Sequence, residues 1–349
     1  MRSPLSLAAL VLAALLSLSA CVSAGSPSPG SDTQGQSAAA SVVAQATLKA
    51  AQYDYDGALA LLASGTSAEA AAAKAGITKA KDAAQPWAEP TKVPHLFWHP
   101  LVVDPARAFS TELAPADRAG NAQYMVTRSE FVAQLQSIYD KGYVLIHPER
   151  LYQLSDGVMT SVADRIKLPP GKKPLVISQD DVNYYKRWAD EGGFPAELKV
   201  AADGTVVNKY TDAAGATTEG AFDVVPIVDA FVRQHPDFSY RGDKGSIALT
   251  GYEGALGYRS SVRAYGDTAA TQQAAADAKR VADAMKAEGW NFASHTFGHI
   301  SYSASSAAQI KADMDRWKAE VEPITGPTPE LIYAFGSDIA NSIGKSYAA

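Results

Sequence analysis

Short apolar runs and amphipathic stretches alternate along the chain from about residue 93 onward. The runs have the length of buried strands, and the stretches between them repeat apolar residues at helical spacing. The predicted strands are residues 96–99, 143–146, 173–179, 246–249, 290–293 and 331–335. The predicted helices are residues 127–142, 224–234, 269–288 and 306–321. This alternation predicts an α/β fold with parallel strands, whose chemistry lies at the carboxyl ends of the strands.

The residues before this region have three different compositions. Residues 1–20 combine a basic start with an apolar run of about 14 residues, shorter than the roughly 20 that cross a bilayer, and predict an export signal. Residues 21–40 are rich in Ser, Gly, Pro and Ala, which predicts a flexible tether. Residues 41–90 predict a short helical segment, and residues 91–349 the main domain.

The composition excludes two classes of protein. The 349 residues include 31 Lys and Arg against 37 Asp and Glu, a net charge of −6, and they contain no basic block. Nucleic acid is therefore not an expected partner. Cys21 is the one cysteine, so neither an intrachain disulfide nor a cysteine-rich metal site can form. Any metal ion must be bound by His, Asp or Glu.

Polar residues that core packing does not require follow two of the predicted strands. Asp180 and Asp181 end the third strand, and His295 and His299 follow the fifth. Imidazole nitrogen and carboxylate oxygen suit zinc or a similar divalent ion, and an adjacent carboxylate can take a proton from the attacking water. A solvated Asp-Asp turn and a surface histidine pair are the alternatives. Because both motifs lie at the ends of separate strands, a metal site is favoured.

The same residues resemble the motifs of a known family. Residues 178–182 (Ser-Gln-Asp-Asp-Val) resemble the Thr-Phe-Asp-Asp-Gly motif of the polysaccharide deacetylases, and residues 294–299 match their Ser-His-Thr-x-x-His motif. Residues 284–294 are similar to the helix, turn and strand that lead into the histidine motif. Residues 333–336 stand where the family has Arg-x-Pro-Tyr-Gly. The resemblance covers roughly residues 93–338.

This resemblance implies a distorted (β/α) barrel with fewer than eight regular strands. It implies that Asp180 is the general base and that Asp181, His295 and His299 bind a divalent metal ion, expected to be zinc. A backbone N–H near Phe335 would stabilise the oxyanion. The implied reaction removes N-acetyl groups from a cell-envelope or extracellular polysaccharide, so the expected partner is an N-acetylated glycan.

The string Leu18-Ser19-Ala20-Cys21 resembles the lipobox of bacterial lipoproteins, in which the cysteine becomes the lipidated first residue of the mature protein. This resemblance implies an exported lipoprotein, anchored through Cys21 at the outer face of the cytoplasmic membrane. An ordinary secretory signal, with a secreted product, is the alternative.

Several features depart from the family pattern. Val182 replaces the motif glycine, Ile332 stands near the place of the arginine that pairs with the catalytic aspartate, and Ala334 replaces a proline. A long insert at residues 183–222 predicts a β-hairpin beside the site. The chain stops 349 − 335 = 14 residues after Phe335, before the family's later strands and the histidine that supplies its general acid. We therefore expect a C-terminally incomplete barrel with an exposed edge and weak or absent activity.

Further residues near the predicted strand ends are candidates for the substrate pocket. In the glycine-rich residues 240–259, Tyr252 and Tyr258 are expected to stack on sugar rings, and Arg259 is a candidate to replace the missing arginine. A tight loop whose glycines accommodate positive φ is the alternative. His99, at the end of the first predicted strand, is also expected to line the pocket.

The sequence therefore predicts a membrane-tethered, metal-dependent polysaccharide N-deacetylase. Two alternatives remain: a catalytically impaired glycan-binding lipoprotein of the same fold, and a metal-dependent hydrolase acting on another amide or ester. The missing arginine and general acid support the first alternative. The intact pair of aspartates and pair of histidines oppose it.

Overall fold

The structure, a computed structural model, describes residues 32–89, 92–156 and 158–339. Its helices are α1 (Asp32–Ala51), α2 (Tyr55–Leu61), α3 (Ala68–Ala83), α4 (Pro105–Ala108), α5 (Pro115–Tyr124), α6 (Arg128–Asp140), α7 (Lys186–Glu191), α8 (Val224–Gln234), α9 (Val262–Tyr265), α10 (Ala269–Ala287), α11 (Ala307–Glu320) and α12 (Glu322–Thr325). Its strands are β1 (Gln85–Pro86), β2 (His95–Trp98), β3 (Tyr143–Leu145), β4 (Tyr152–Ser155), β5 (Val158–Ser161), β6 (Lys167–Leu168), β7 (Lys173–Asp180), β8 (Glu197–Val200), β9 (Val206–Thr211), β10 (Thr217–Gly220), β11 (Ser246–Leu249) and β12 (Asn291–Ser294). No helix within these described ranges is both long and apolar enough to span a bilayer.

The central sheet is parallel and carries the site. Its strands pair in the order β12-β11-β7-β2, and β3 also pairs with β7. In the ladder, Ser178 of β7 lies opposite Phe97 of β2 and Ser246 of β11. The predicted α/β fold with parallel strands is thus confirmed. The pairings within the described ranges form an open path and show no closed barrel, so the distorted, incomplete barrel stays a prediction.

Five of the six predicted strands are present, each within about one residue of its expected bounds. The sixth prediction, a strand over residues 331–335, is wrong. Leu331 forms a single bridge with Ser294, and a 3₁₀ turn follows at Ala334–Gly336. Phe335 has φ 60°, which extended backbone does not allow, so the chain turns here instead of continuing the sheet.

Local capping explains where the helices beside the sheet begin and end. The Thr127 side chain accepts from the N–H of Glu130, whose carboxylate accepts from the N–H of Thr127, so a capping box starts α6 as the sequence predicts. Gly142 ends this turn at φ 79°. Trp98 of β2 packs edge-on against Phe131 of α6, with ring centroids 5.1 Å apart. Helix α6 therefore covers one face of the sheet.

The insert after β7 is larger than the predicted hairpin. It contains α7 and a three-stranded antiparallel sheet in the order β10-β9-β8. The turns contain Gly204 and Gly215, both at positive φ. Asp223, at the start of α8, accepts from the hydroxyl of Tyr184 at 2.6 Å, and Asn208 of β9 donates to that hydroxyl at 2.9 Å. A buried polar contact thus connects the insert to the core.

The N-terminal helices contribute a second apolar cluster. The described residues up to 41 and those from 42 onward belong to separate contact units, and residues 32–41 are helical. Helix α1 thus begins inside the segment expected to be a flexible tether, residues 21–40. Within the second unit, Leu62 and Ile77 pack in one buried cluster with Ile146 of the main domain. The predicted signal and Cys21 lie outside the described residues.

We predict that Tyr184→Phe destabilises the protein by about 1–3 kcal/mol, because Asp223 and Asn208 each lose a buried hydrogen-bond partner. Urea unfolding followed by circular dichroism measures this change. Tyr152→Phe, in the exposed strand β4, is the control and should leave the midpoint unchanged. Equal midpoints for wild type and Tyr184→Phe would contradict the role of this contact.

Candidate metal centre

Three side chains that the sequence singles out converge at the carboxyl end of the sheet. Asp181 follows β7 directly, and His295 and His299 lie in the loop after β12. Asp181 Oδ1 lies 4.0 Å from Nε2 of His295 and 3.7 Å from Nε2 of His299. The three ligand atoms lie within 4.8 Å of one another. Neighbouring parallel strands therefore bring residues 114 positions apart (295 − 181 = 114) to one point.

The backbone after β12 orients the first histidine. Nδ1 of His295 lies 2.8 Å from the carbonyl oxygen of Ile332 and donates to it, so Nε2 faces Asp181. Burial lowers the pKa of His295, although the charge of Asp181 opposes this, and the neutral imidazole is the form that binds metal. Ile332, which stands near the place of the family's arginine, thus contributes its backbone to the site.

The loop after β7 holds the carboxylate of Asp181. The hydroxyl of Tyr185 donates to Asp181 Oδ1 at 2.6 Å and lies 2.8 Å from Oγ1 of Thr250. Asn183 donates to the carbonyl of Thr250 at 2.8 Å and accepts from its N–H at 3.0 Å. The residues that follow Asp181, where the chain departs from the family pattern, therefore connect β7 to the loop after β11.

The site is built on strained backbone. Positive φ occurs at Asp181 (60°), Thr296 (63°), His299 (51°) and Phe335 (60°), a region that residues with a Cβ rarely adopt. Such conformations persist when the surroundings hold them, and they cluster at functional sites. At the histidine loop, the buried carboxylate of Asp313 on α11 accepts from the N–H groups of Phe297 at 2.6 Å and Gly298 at 2.8 Å.

Asp180 lies beside the cluster with little access to solvent. Asp180 is 5% exposed, and Ser178 Oγ donates to Asp180 Oδ1 at 3.2 Å. Burial, followed by the charge of Asp181, raises the pKa of Asp180 to about 7. A carboxyl group with a pKa near neutrality is suited to accept and return a proton during a reaction.

His99 and Phe335 lie at the mouth of the site. Nδ1 of His99 donates to the carbonyl of Tyr124 at 3.2 Å, and His99 follows Trp98, which pairs with Gln179 of β7. The ring of Phe335 is 72% exposed and meets the ring of His299 edge-on, with centroids 4.4 Å apart. Phe335 therefore adjoins His299, and His99 lies at the same edge of the sheet as Asp180.

The three pocket candidates after β11 lie in different places and make different contacts. Tyr252 stacks on Tyr185 with ring centroids 5.0 Å apart, so it lies behind Asp181. The carbonyl of Leu256, two residues before Tyr258, accepts from the N–H of Leu198, so this part of the loop lies beside β8. The guanidinium of Arg259 donates to Glu253 at 3.1 Å and holds the loop. Of the three, Tyr252 adjoins the cluster.

The donor set fits a divalent metal ion. Two imidazole nitrogens and one carboxylate oxygen are ligands that zinc and similar ions take, and three protein ligands leave a position open. The separations of 3.7 and 4.0 Å suit one ion bound at roughly 2 Å from each atom. The contact of His295 with Ile332 and that of Asp181 with Tyr185 orient two of the ligands from behind, as outer partners of metal sites do.

Sequence reasoning missed Tyr185, Thr250 and Asp313. Tyr185 and Thr250 follow the ends of β7 and β11, so position alone marks them as candidates. Asp313 lies in the middle of α11, where a polar residue ordinarily faces solvent, and its burial depends on the packing of the helix.

We predict that Tyr185→Phe weakens zinc affinity about 10- to 100-fold, because the Asp181 carboxylate loses the donor that orients it. Competition with a chromogenic chelator measures the affinity. Tyr184→Phe is the matched control, since that hydroxyl binds Asp223 and not Asp181. Unchanged affinity in Tyr185→Phe would show that the hydroxyl does not support the ligand.

A comparison with known protein families matches the part of the chain that carries the histidine motif. Residues 266–348, which include His295, His299 and Phe335, match the family described as polysaccharide deacetylase. Among solved structures, the chain is similar to the Streptococcus pyogenes deacetylase PplD in complex with acetate, with 16% identity and a TM-score of 0.32 over 67% of this chain and 70% of that chain. No curated protein matches the chain. The resemblance to the polysaccharide deacetylase family is thereby confirmed over residues 266–348, the segment that carries both histidines of the site.

Proposed function

We propose that this protein is a metal-dependent hydrolase that removes N-acetyl groups from a polysaccharide of the cell envelope or the extracellular space. The observation that carries the proposal is the convergence of Asp181, His295 and His299 beside the buried Asp180. The family match of residues 266–348 supports deacetylation as the reaction. The proposed location is outside the cell, either bound to the membrane through a lipid on Cys21 or secreted.

A divalent ion, zinc by its donor set, would supply Lewis-acid chemistry that polarises the acetamide carbonyl and lowers the pKa of a water molecule. Asp180 accepts the proton of the attacking water, and its raised pKa suits a base that later returns this proton. The N–H of Phe335, which has no backbone acceptor within the described residues, is the proposed donor to the oxyanion. The exposed ring of Phe335 and His99 flank the entrance that a glycan would use.

A catalytically impaired glycan-binding protein with the same site is the second candidate. The place of the family's arginine is taken by Ile332, and Arg259 bonds to Glu253 and to the carbonyl of Tyr184. Asp180 therefore lacks a cationic partner among the described side chains. This candidate predicts binding of the glycan without release of acetate.

We predict that the purified protein releases acetate from N-acetylated glucosamine oligomers and that a chelator abolishes the release. Adding zinc back to the chelated protein should restore it, because the ligand set holds the ion that activates the reaction. An enzyme-coupled acetate assay measures the rate. Release that persists after complete metal removal would contradict the metal-dependent mechanism, and glycan binding without release would favour the second candidate.

We predict different outcomes for the two adjacent aspartates. Asp180→Asn should abolish turnover and leave bound zinc nearly unchanged, whereas Asp181→Asn should lose zinc as well, because only Asp181 contacts both histidines. Acetate release and metal content by plasma emission spectrometry measure these effects. Equal loss of zinc in the two variants would show that their roles are wrongly assigned.

A further inference from the structure

A chain of hydrogen bonds lies behind Asp180. Ser178 Oγ donates to Asp180 Oδ1 at 3.2 Å, and Nε2 of His95 lies 2.9 Å from Ser178 Oγ. Ser178 is 1% exposed and Asp180 5% exposed, so bulk water does not readily replace the bond between them, whereas His95 lies at the exposed end of the chain of bonds. The three side chains connect β2 to the proposed general base.

The strand register explains why these residues meet. In the parallel ladder of β2 and β7, His95 pairs with Val176 and Phe97 pairs with Ser178. Side chains alternate between the faces of a strand, so Val176, Ser178 and Asp180 share the face on which His95 lies. The hydrogen-bond chain therefore belongs to the sheet, which is more rigid than a loop.

In the ionised form in which Asp180 acts as the proposed base, its carboxylate fixes the direction of both hydrogen bonds. An ionised carboxylate only accepts, so Ser178 donates its single hydroxyl hydrogen to Asp180. The serine oxygen then accepts from His95, which must carry a hydrogen on Nε2. Each member thus has one defined role in holding the carboxylate.

We propose that His95 and Ser178 are positioning residues that hold the Asp180 carboxylate with one oxygen fixed and the other free to meet the attacking water. This inference rests on the proposed function, in which Asp180 is the base. Ser178 is the hydrogen-bond donor to this carboxylate within the described part of the chain. Arg259 does not take the role, because it bonds to Glu253.

The test compares zinc-loaded wild type with Ser178→Ala, His95→Ala, His95→Gln and the double alanine variant. Ser246→Ala is the matched control, because Ser246 pairs with Ser178 in the sheet, is also 1% exposed and donates to Glu330. Ser246→Ala removes a hydroxyl group from an equally buried position and leaves the hydrogen bond to Asp180 intact. The measurements are kcat, KM, bound zinc and the unfolding midpoint.

Ser178→Ala should lower kcat about 10- to 100-fold with unchanged KM and zinc content, because the base is misplaced while binding persists. His95→Ala should also lower kcat, and His95→Gln, which keeps an N–H donor, should restore most of it. The double variant should lose no more than Ser178→Ala, because His95 acts through Ser178. A loss no larger than that of Ser246→Ala, or losses that add in the double variant, would overturn the inference.

A crystal structure of zinc-loaded wild type and Ser178→Ala separates this inference from failure of the proposed function. If wild type releases no acetate, the proposed function fails, and the orientation of the Asp180 carboxylate decides the positioning role. Rotation of that carboxylate in Ser178→Ala supports the role of the serine. An unchanged orientation overturns it.

Discussion

Two adjacent carboxylates at the end of β7 are almost completely buried, and much of the surrounding structure compensates for this. Asp180 and Asp181 are each 5% exposed. Burial disfavours ionised carboxylates and like charges repel, so this pair destabilises the fold unless donors or a cation stabilise it. Ser178 donates to one and Tyr185 to the other. A cation between Asp181 and the two histidines would neutralise the remaining charge, which supports the proposal of a metal ion at this place.

The same region carries unfavourable backbone conformations. Each non-glycine residue at positive φ costs about 1–3 kcal/mol, and the four around the site require compensation. Asn183 provides part of it by bonding the backbone of Thr250 in both directions, and Asp313 provides more through two backbone N–H groups. Since these partners are buried, the loops have few alternative conformations. The positions of the reacting groups are therefore set by the protein before a substrate arrives.

The parts of the site that follow strand ends could be predicted from the sequence. Apolar runs locate β7 and β12, and the polar residues after them, Asp181 and His295, share an edge in a parallel sheet. The contact of Ile332 with His295 could not be predicted, because it depends on a backbone turn where the pattern of residues 331–335 indicates a strand. The third strand of the insert could not be predicted either, because strand formation there depends on tertiary packing.

Different parts of the fold hold the two histidines in place. His295 depends on the end of β12 and on the carbonyl of Ile332, whereas the loop of His299 depends on Asp313 and hence on α11. Helices at the surface open locally more readily than central strands do. Local unfolding of α11 as far as Asp313 would therefore free one ligand while the other two remain in place. Heating or mild denaturant would then weaken the site in two stages, with partial loss of affinity preceding collapse of the sheet.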